Sequence, residues 1–422
     1  MMPMVMTGVE RDGMLSLKGI MFSKRRGAFR LVATVVLCLL LLQYAAAEAD
    51  PSQIYRESTN ALYNLDFSIA QSGYETLTRE YPDNPDYWNA LASSIWLTIT
   101  LDQQKLNIES FSGGSSFGTK DSRDAVNPQD EQRLRDTIAT AIAKADAMLK
   151  KNPNNVRALY AKGISLGTLA SFEATVKRSY LSAHSKAKEA KSLHQQVLKL
   201  DPTFDDARLT IGTYDYVVGV IPGFVRFVVG VFGVRGAGKE AGIQQLELAA
   251  AKGKSGSTDA KMVLLVVYNR EKKYDDSLRL INELHAKYPR NFLFELAKAS
   301  IYGKMKDWDN AIQVYEQILA KVQAKKDGYE RLRIARVYYR LADSYIQREQ
   351  FEKGVEEFSH VVASKDATPN EKANAYLWMG KIFDSKQERS KAVQQYNLVL
   401  GLDCDPDLKA EAEKYKRTPF IS

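Results

Sequence analysis

Two stretches near the C-terminus carry matching residues at identical spacing. Tyr338, Leu341, Ala342, Tyr345, Gly354, Phe358 and Val361 are followed, 38 positions on, by Tyr376, Met379, Gly380, Phe383, Ala392, Tyr396 and Val399. Ala299, Tyr302, Ala311, Tyr315 and Leu319 keep the second half of this pattern, as do Leu265, Tyr268, Ser277, Ile281 and Pro289, at an offset of 34. Within each set, apolar residues recur at three and four, the helical period. The same period runs from residue 52 onward, with no convincing strand-like alternation. A small residue in the first helix of a pair lets the second approach closely, a small residue early in the second does the same, and aromatics fill the space between. One such pair leaves an apolar face uncovered, so pairs must stack.

The whole sequence therefore predicts an all-α, right-handed solenoid of about eight helix pairs: 52–82, 86–153, 155–202, 205–253, 257–289, 291–325, 328–366 and 370–404. Apolar residues make up 45% of the 422 and charged residues 26%, a globular balance that excludes wholesale disorder. With two Cys and four His in the chain, a disulfide framework or a thiolate zinc cluster is excluded.

The spacing of small and large positions resembles the tetratricopeptide repeat (TPR), a helix–turn–helix unit, over roughly 52–403. Pro82, Pro153, Pro202 and Pro289 match its terminal proline. The match is strong in a C-terminal array, 257–404, and degenerate in an N-terminal array, 48–253. The degenerate part has a Gly/Ser-rich insert at 102–128, including Ser112-Gly113-Gly114-Ser115-Ser116, and an apolar helical insert at 217–234 in the fourth pair. A narrower likeness covers Ile211 to Tyr216, Ile221-Pro222, Phe227, Phe232-Gly233 and Gly242 to Leu248. These residues resemble the tetratricopeptide-repeat-domain-39 family and its fungal outer-mitochondrial-membrane relatives. The resemblance implies an apolar insert between repeat helices and no catalytic residues. Residues 405–422 read as a C-terminal tail.

Residues 1–47 have the three parts of a secretory signal: Lys24, Arg25, Arg26 and Arg30, then the uncharged run Leu31 to Leu42, then Ala45-Ala46-Ala47. The run is shorter than the ~20 residues of a bilayer span. We expect cleavage near Ala47 and a periplasmic or secreted product; the alternative is an N-terminal membrane anchor. Removing 1–47 takes away six Lys/Arg and two Asp/Glu, so the net charge falls from +8 to +4. That balance gives no case for nucleic acid, and it leaves Cys404 as the one mature cysteine.

The chemistry-bearing motifs weigh against an enzyme. Gly233 to Lys239 fits G-x-x-x-x-G-K, but Glu240 stands where a phosphate loop needs the Ser/Thr hydroxyl that binds Mg²⁺. The stretch reads instead as a Gly-rich turn opening a helix. His184 and His194 are ten apart, which is not the spacing of a helical zinc site, and His194 falls where the repeat places an aromatic. His285, His360 and Cys404 lack partners for nucleophilic or metal chemistry. No cofactor is expected.

The expected function is that of an exported, non-enzymatic scaffold holding a protein or peptide partner in its concave face. Arg333, Arg336, Tyr339 and Arg340 form a basic and aromatic stretch suited to an acidic segment. The alternative is a ligand- or lipid-binding component of an envelope transport system. The insert would then serve through Val225, Arg226, Phe227, Val228, Val231 and Phe232, with a small apolar ligand or a membrane surface as its partner. Pro222-Gly223 interrupt that run, and Arg226 at a bilayer centre would cost about 2.5–3.5 kcal/mol, so a true span is disfavoured.

Overall fold

Asparagines and prolines mark where the helices begin. In a computed structural model, residues 50–103, 126–221 and 236–421 are described. Asn84, Asn127, Asn155 and Asn291 each accept a hydrogen bond from a first-turn amide of the helix that follows, and Pro85 and Pro128 occupy the first helical position. There the missing N–H removes no intrahelical bond. Thr368 and Glu371 form a reciprocal capping box around Pro369.

The described residues form seventeen α-helices and no strand. Sixteen fall into eight pairs: α1 Pro51–Tyr63 with α2 Phe67–Glu80, α3 Pro85–Asp102 with α4 Pro128–Lys151, α5 Val156–Thr175 with α6 Tyr180–Leu200, and α7 Arg208–Val220 with α8 Lys239–Lys252. Then follow α9 Ser257–Arg270 with α10 Tyr274–Lys287, α11 Phe292–Lys304 with α12 Trp308–Gln323, α13 Ile334–Gln347 with α14 Phe351–Ala363, and α15 Pro369–Ser385 with α16 Arg389–Leu400. The expected tail contains α17, Pro406–Arg417, which buries Ala412 against the last pair. Arg389 fastens its end by donating to the carbonyls of Tyr415 and Lys416. The fold is an all-α helical solenoid. By contacts the chain divides between Ile54 and Tyr55, and the helix pairs pack within the part from Tyr55 onward.

One turn recurs between paired helices. Leu65, Lys272, Lys306, Glu349 and Gln387 all have φ between 59° and 67°. In each case the next amide reaches back five residues, as from Lys273 to Tyr268 and from Gln350 to Tyr345, at 2.8–2.9 Å. This closes the open carbonyls of the first helix. The first pair thus uses the same turn as pairs five to eight, although its sequence pattern is degenerate. In pairs two and four the expected inserts stand where this turn would be.

Small residues do what their spacing predicts. A Cβ on Gly380 would lie 2.4 Å from the Tyr396 ring, and one on Gly163 would lie 2.2 Å from the His194 ring. Pair four is tighter still: a Cβ on Gly242 would lie 2.5 Å from the Tyr216 amide and 2.8 Å from the Gly212 carbonyl, so α7 and α8 meet backbone to backbone.

The chain also returns on itself. Tyr63, at the end of α1, belongs to the apolar cluster of pairs four to six with Tyr216, Leu264, Tyr268, Ile281 and Ile301. Its ring lies 4.9 Å from that of Tyr288, and its carbonyl accepts from Asn291 Nδ2 at 2.8 Å. The Arg290 amide donates to Asn64 at 3.1 Å, and its guanidinium pairs with Asp66. Arg331 reaches both Asp102, at 3.2 Å, and the Phe67 ring. The first pair is therefore joined to the fifth and sixth across some two hundred residues of sequence.

Candidate functional site

First helices of different pairs meet on one inner wall. The Tyr55 ring of α1 lies 5.8 Å from that of Tyr74 and 6.0 Å from that of Tyr87 at the start of α3. From α5 come Tyr160 and Arg157, and from α9 comes Asp259. Tyr63 donates to Asp259 Oδ1 at 2.8 Å, so the bond that closes the array also holds the carboxylate of this wall. The fold requires this convergence: in a stack of helix pairs the first helices share a face, and the contact of pair one with pair five brings the two ends of that face together.

The electrostatics agree. Burial pushes the Tyr55 hydroxyl up to about 12, helped by the charges of Asp86 and Asp259. The Tyr63 and Tyr160 hydroxyls lie well above the ordinary tyrosine value, again chiefly through burial and then through Asp259 or Asp206. Tyr74 is raised as well. Burial raises Asp259 to about 6, with Asp206 adding to the rise and the Tyr63 hydroxyl opposing it. The Asp259 side chain itself keeps contact with solvent.

Two other carboxylates nearby already have partners. Asp86 pairs with Arg157 at 2.7 Å. Asp206 is buried and accepts from the Ser255 and Gly256 amides and the Ser255 hydroxyl at 2.9–3.2 Å, tying down the turn before α9.

The residues expected from sequence lie elsewhere. Arg333 links the seventh pair to the eighth, pairing with Glu371 and donating to the Asp366 carbonyl. Tyr339 is half-buried in the core between these pairs, edge-on to Phe358 at 5.4 Å. Arg336 and Arg340 are half-buried on α13 and have interactions of their own. The structure does not bring these four to the tyrosine wall. The insert residues Val225, Arg226, Phe227, Val228, Val231 and Phe232 lie outside the described residues, as do 1–49 and most of the 102–128 insert.

Gly238, with φ of 102°, precedes the first residue of α8, and the Lys239 ammonium pairs with Glu271 at 2.7 Å. Glu271 also accepts from the Tyr216 hydroxyl at 2.9 Å. The lysine of the phosphate-loop-like stretch thus braces α8 against α9.

His194 is fully buried, stacks on Tyr160 at 4.9 Å and sits 3.0 Å from its carbonyl. Burial lowers it to about 4. His184 tilts against Tyr214, and burial raises the Cys404 thiol. Among the described residues no group of His, Cys, Asp and Glu could hold a metal ion, and no helix is long and apolar enough to cross a membrane. An open groove of about 620 Å³ between α3 and α4, lined by Trp88, Gln132, Arg133 and Asp136, is a separate feature without converging charged groups of one sign.

The family model for Iml2/Tetratricopeptide repeat protein 39 matches residues 129–376, more than half of the chain. The chain belongs to this family. The Iml2/TPR39 match runs from α4 into α15, so it includes Tyr160, Asp206 and Asp259, while Tyr55, Tyr63 and Tyr87 precede it.

Solved structures similar to this chain include yeast Tom70, with 14% identity, 95% of this chain and 93% of that one covered, and a TM-score of 0.34. MamA from Desulfovibrio magneticus RS-1 has 20% identity over 44% of this chain and 92% of its own, with a TM-score of 0.32. TTC0263, a thermophilic TPR protein in Thermus thermophilus, has 13% identity, coverage of 60% and 98%, and a TM-score of 0.33. No curated protein matches the chain.

Proposed function

We propose that this protein is an exported, non-enzymatic scaffold that binds a protein or peptide partner on the inner wall formed by its first helices. The observation that carries this reading is the convergence of Tyr55, Tyr63, Tyr87 and Tyr160, from three different pairs, around Asp259. Tyrosines supply large, rigid contact area with a polar tip and two rotatable bonds, so they lose little entropy on binding. The basic stretch on α13 supports this less well, because Arg333 is engaged between pairs. Membership of a TPR family and the arrangement of paired helices support a binding role over chemistry.

Site-specific photo-crosslinking tests the reading. Benzoylphenylalanine introduced at Tyr87 in cells should trap a partner protein, whereas the same group at exposed Lys252, on a second helix, should not. Capture from Lys252 but never from Tyr87 would refute the inner wall as the binding face.

A further inference from the structure

The bonds that close the array are gathered at one tip of the first pair. On that side they come from Tyr63 to Phe67, the turn between α1 and α2, and from Asp102 at the end of α3. On the other side they come from Asp259, from Tyr288 to Asn291 between pairs five and six, and from Arg331. Tyr63 is the one described residue of pair one in the apolar cluster of pairs four to six. Two of the links, Arg290 with Asp66 and Arg331 with Asp102, are ion pairs partly open to water, which salt screens. Pair one holds pair two along a longer seam. It runs from Gln71, which donates to Thr98 at 3.0 Å, to Tyr81, edge-on to Tyr87 at 5.9 Å, and Arg133 of α4 reaches back to Gln71 and Glu75. A long seam on one side and a small tip contact on the other is the arrangement of a hinge with a latch. The seat of the latch is built without pair one. Asn291 caps α11 with the side chain that also reaches Tyr63, and Gly328 packs so closely on the Arg290 carbonyl that a Cβ would stand 2.6 Å from it.

We infer that the first helix pair is a latch on the inner wall: it swings on pair two, its 63–67 turn releases from residues 288–291 and Arg331, and the wall admits a partner segment in the released state. This gate rests on the concave-face reading and adds a regulated entrance to it. Tyr55 and Tyr63 are eight residues apart in α1 and fall within one helical stripe. Tyr55 lies against Tyr87 of pair two, and Tyr63 is bonded to Asp259 of pair five. With the tip seated, that bond joins the two ends of the wall. A segment with folded chain on both sides cannot thread through a closed loop. It has to be laid in from the side, and that route crosses the Tyr63–Asp259 bond and the tip contacts. Release breaks few bonds and leaves pairs two to eight stacked, because stability in such an array is a sum over neighbouring pairs. Opening of this kind is local and lies below global unfolding in free energy.

Spin labels read the motion in the full chain carrying Cys38→Ser and Cys404→Ser. One label is attached at Ile69→Cys on α2 and the other at Ala286→Cys on α10, both exposed positions. Double electron–electron resonance should show a short distance and a second, longer one. Raising the salt concentration should enlarge the longer population severalfold. Arg331→Ala, which removes the Asp102 pair and the Phe67 contact, should do the same. So should Tyr63→Phe, which removes the Asp259 bond and keeps the ring on Tyr288. Labels at Ala286→Cys and exposed Leu398→Cys, both outside the moving pair, should keep one distance throughout. A reducible bismaleimide joining Asp66→Cys to Arg290→Cys, positions that face each other as an ion pair, holds the tip seated. Benzoylphenylalanine at Tyr87 should then capture protein from a lysate of the native cell severalfold less, and cleaving the staple with reductant should restore capture.

A single distance in every variant and at every salt concentration overturns the inference. So does a change that the Ala286–Leu398 control shares, since that is general unfolding. Crosslinking at Tyr87 tells this failure from failure of the broader reading. Capture there that the staple leaves untouched sinks the latch and keeps the concave face. No capture at Tyr87, stapled or released, sinks both.

Discussion

Replacing Gly242 with Ala adds one methyl where two helix backbones touch. That carbon would stand 2.5 Å from the Tyr216 amide, 2.8 Å from the Gly212 carbonyl and 2.9 Å from the Tyr216 Cα. All three neighbours are backbone, so no side chain can rotate aside and α7 must move away from α8. Overpacking of this kind costs about 1–3 kcal/mol, and contacts without a flexible member belong at the upper end. Alanine returns about 1 kcal/mol through its helix propensity, which leaves a net loss of about 2 kcal/mol. Gly167, inside α5, is the matched control: nothing lies within 4 Å of a Cβ there, so Gly167→Ala should stabilise by roughly 1 kcal/mol. The two identical substitutions should have opposite signs. Urea unfolding gives the sizes, and native-state amide exchange should place the Gly242→Ala loss in α7, α8 and α9. An unfolding midpoint that rises for Gly242→Ala as it does for Gly167→Ala would refute the backbone-to-backbone contact.

Further outcomes follow from the same contacts. His194 is held neutral at about 4, below its ordinary 6.5; the unfolded chain binds its proton first, so stability should fall as pH drops from about 6.5 toward 4. His194→Phe should remove that slope in pH-dependent urea titrations. Asp259 has the opposite sign: its folded value of about 6 exceeds the ordinary 3.8, so its ionisation lowers stability as pH rises through that window, and Asp259→Asn should be the more stable form at neutral pH. Asn291→Ala removes both the cap of α11 and the bond to the Tyr63 carbonyl; a loss of about 1–3 kcal/mol is expected, with limited proteolysis cutting first near residues 64–66, and unchanged protection there would count against the closure. N-terminal sequencing of protein isolated from its native cell should start at Glu48 or Asp50, and retention of residues 24–42 would make it a membrane-anchored protein.

Local chemistry was legible in the sequence and distant contact was not. Gly380 and Tyr396, or Ala342 and Phe358, stand at spacings that reflect helices packed within one or two turns of chain, and they meet as expected. The role of Arg333 could have been found by the same reasoning: its partner Glu371 lies 38 residues on, at the repeat offset. The wall at Asp259 had no such signal. In sequence, Asp259 is an ordinary acidic residue in a first helical turn, and Tyr63 an ordinary last-turn aromatic. Their bond spans 196 residues and depends on small rotations accumulated over several pairs, which no spacing within a pair records.

That bond has a consequence for how the chain is made. In an open stack each pair can settle on its predecessor as it appears, and the order of synthesis is the order of folding. Here the first pair emerges long before its seat exists: Tyr63 must wait for Asn291, 228 residues later, which at about 5–20 residues per second is roughly 10–45 s of translation. During that interval Tyr63 lacks Tyr288 and Asn291, and Phe67 lacks Arg331, and closing so long a loop makes the finished array a slower folder than its helical content suggests. A chaperone that holds the nascent N-terminal pair would act on this protein before its last repeats are synthesised.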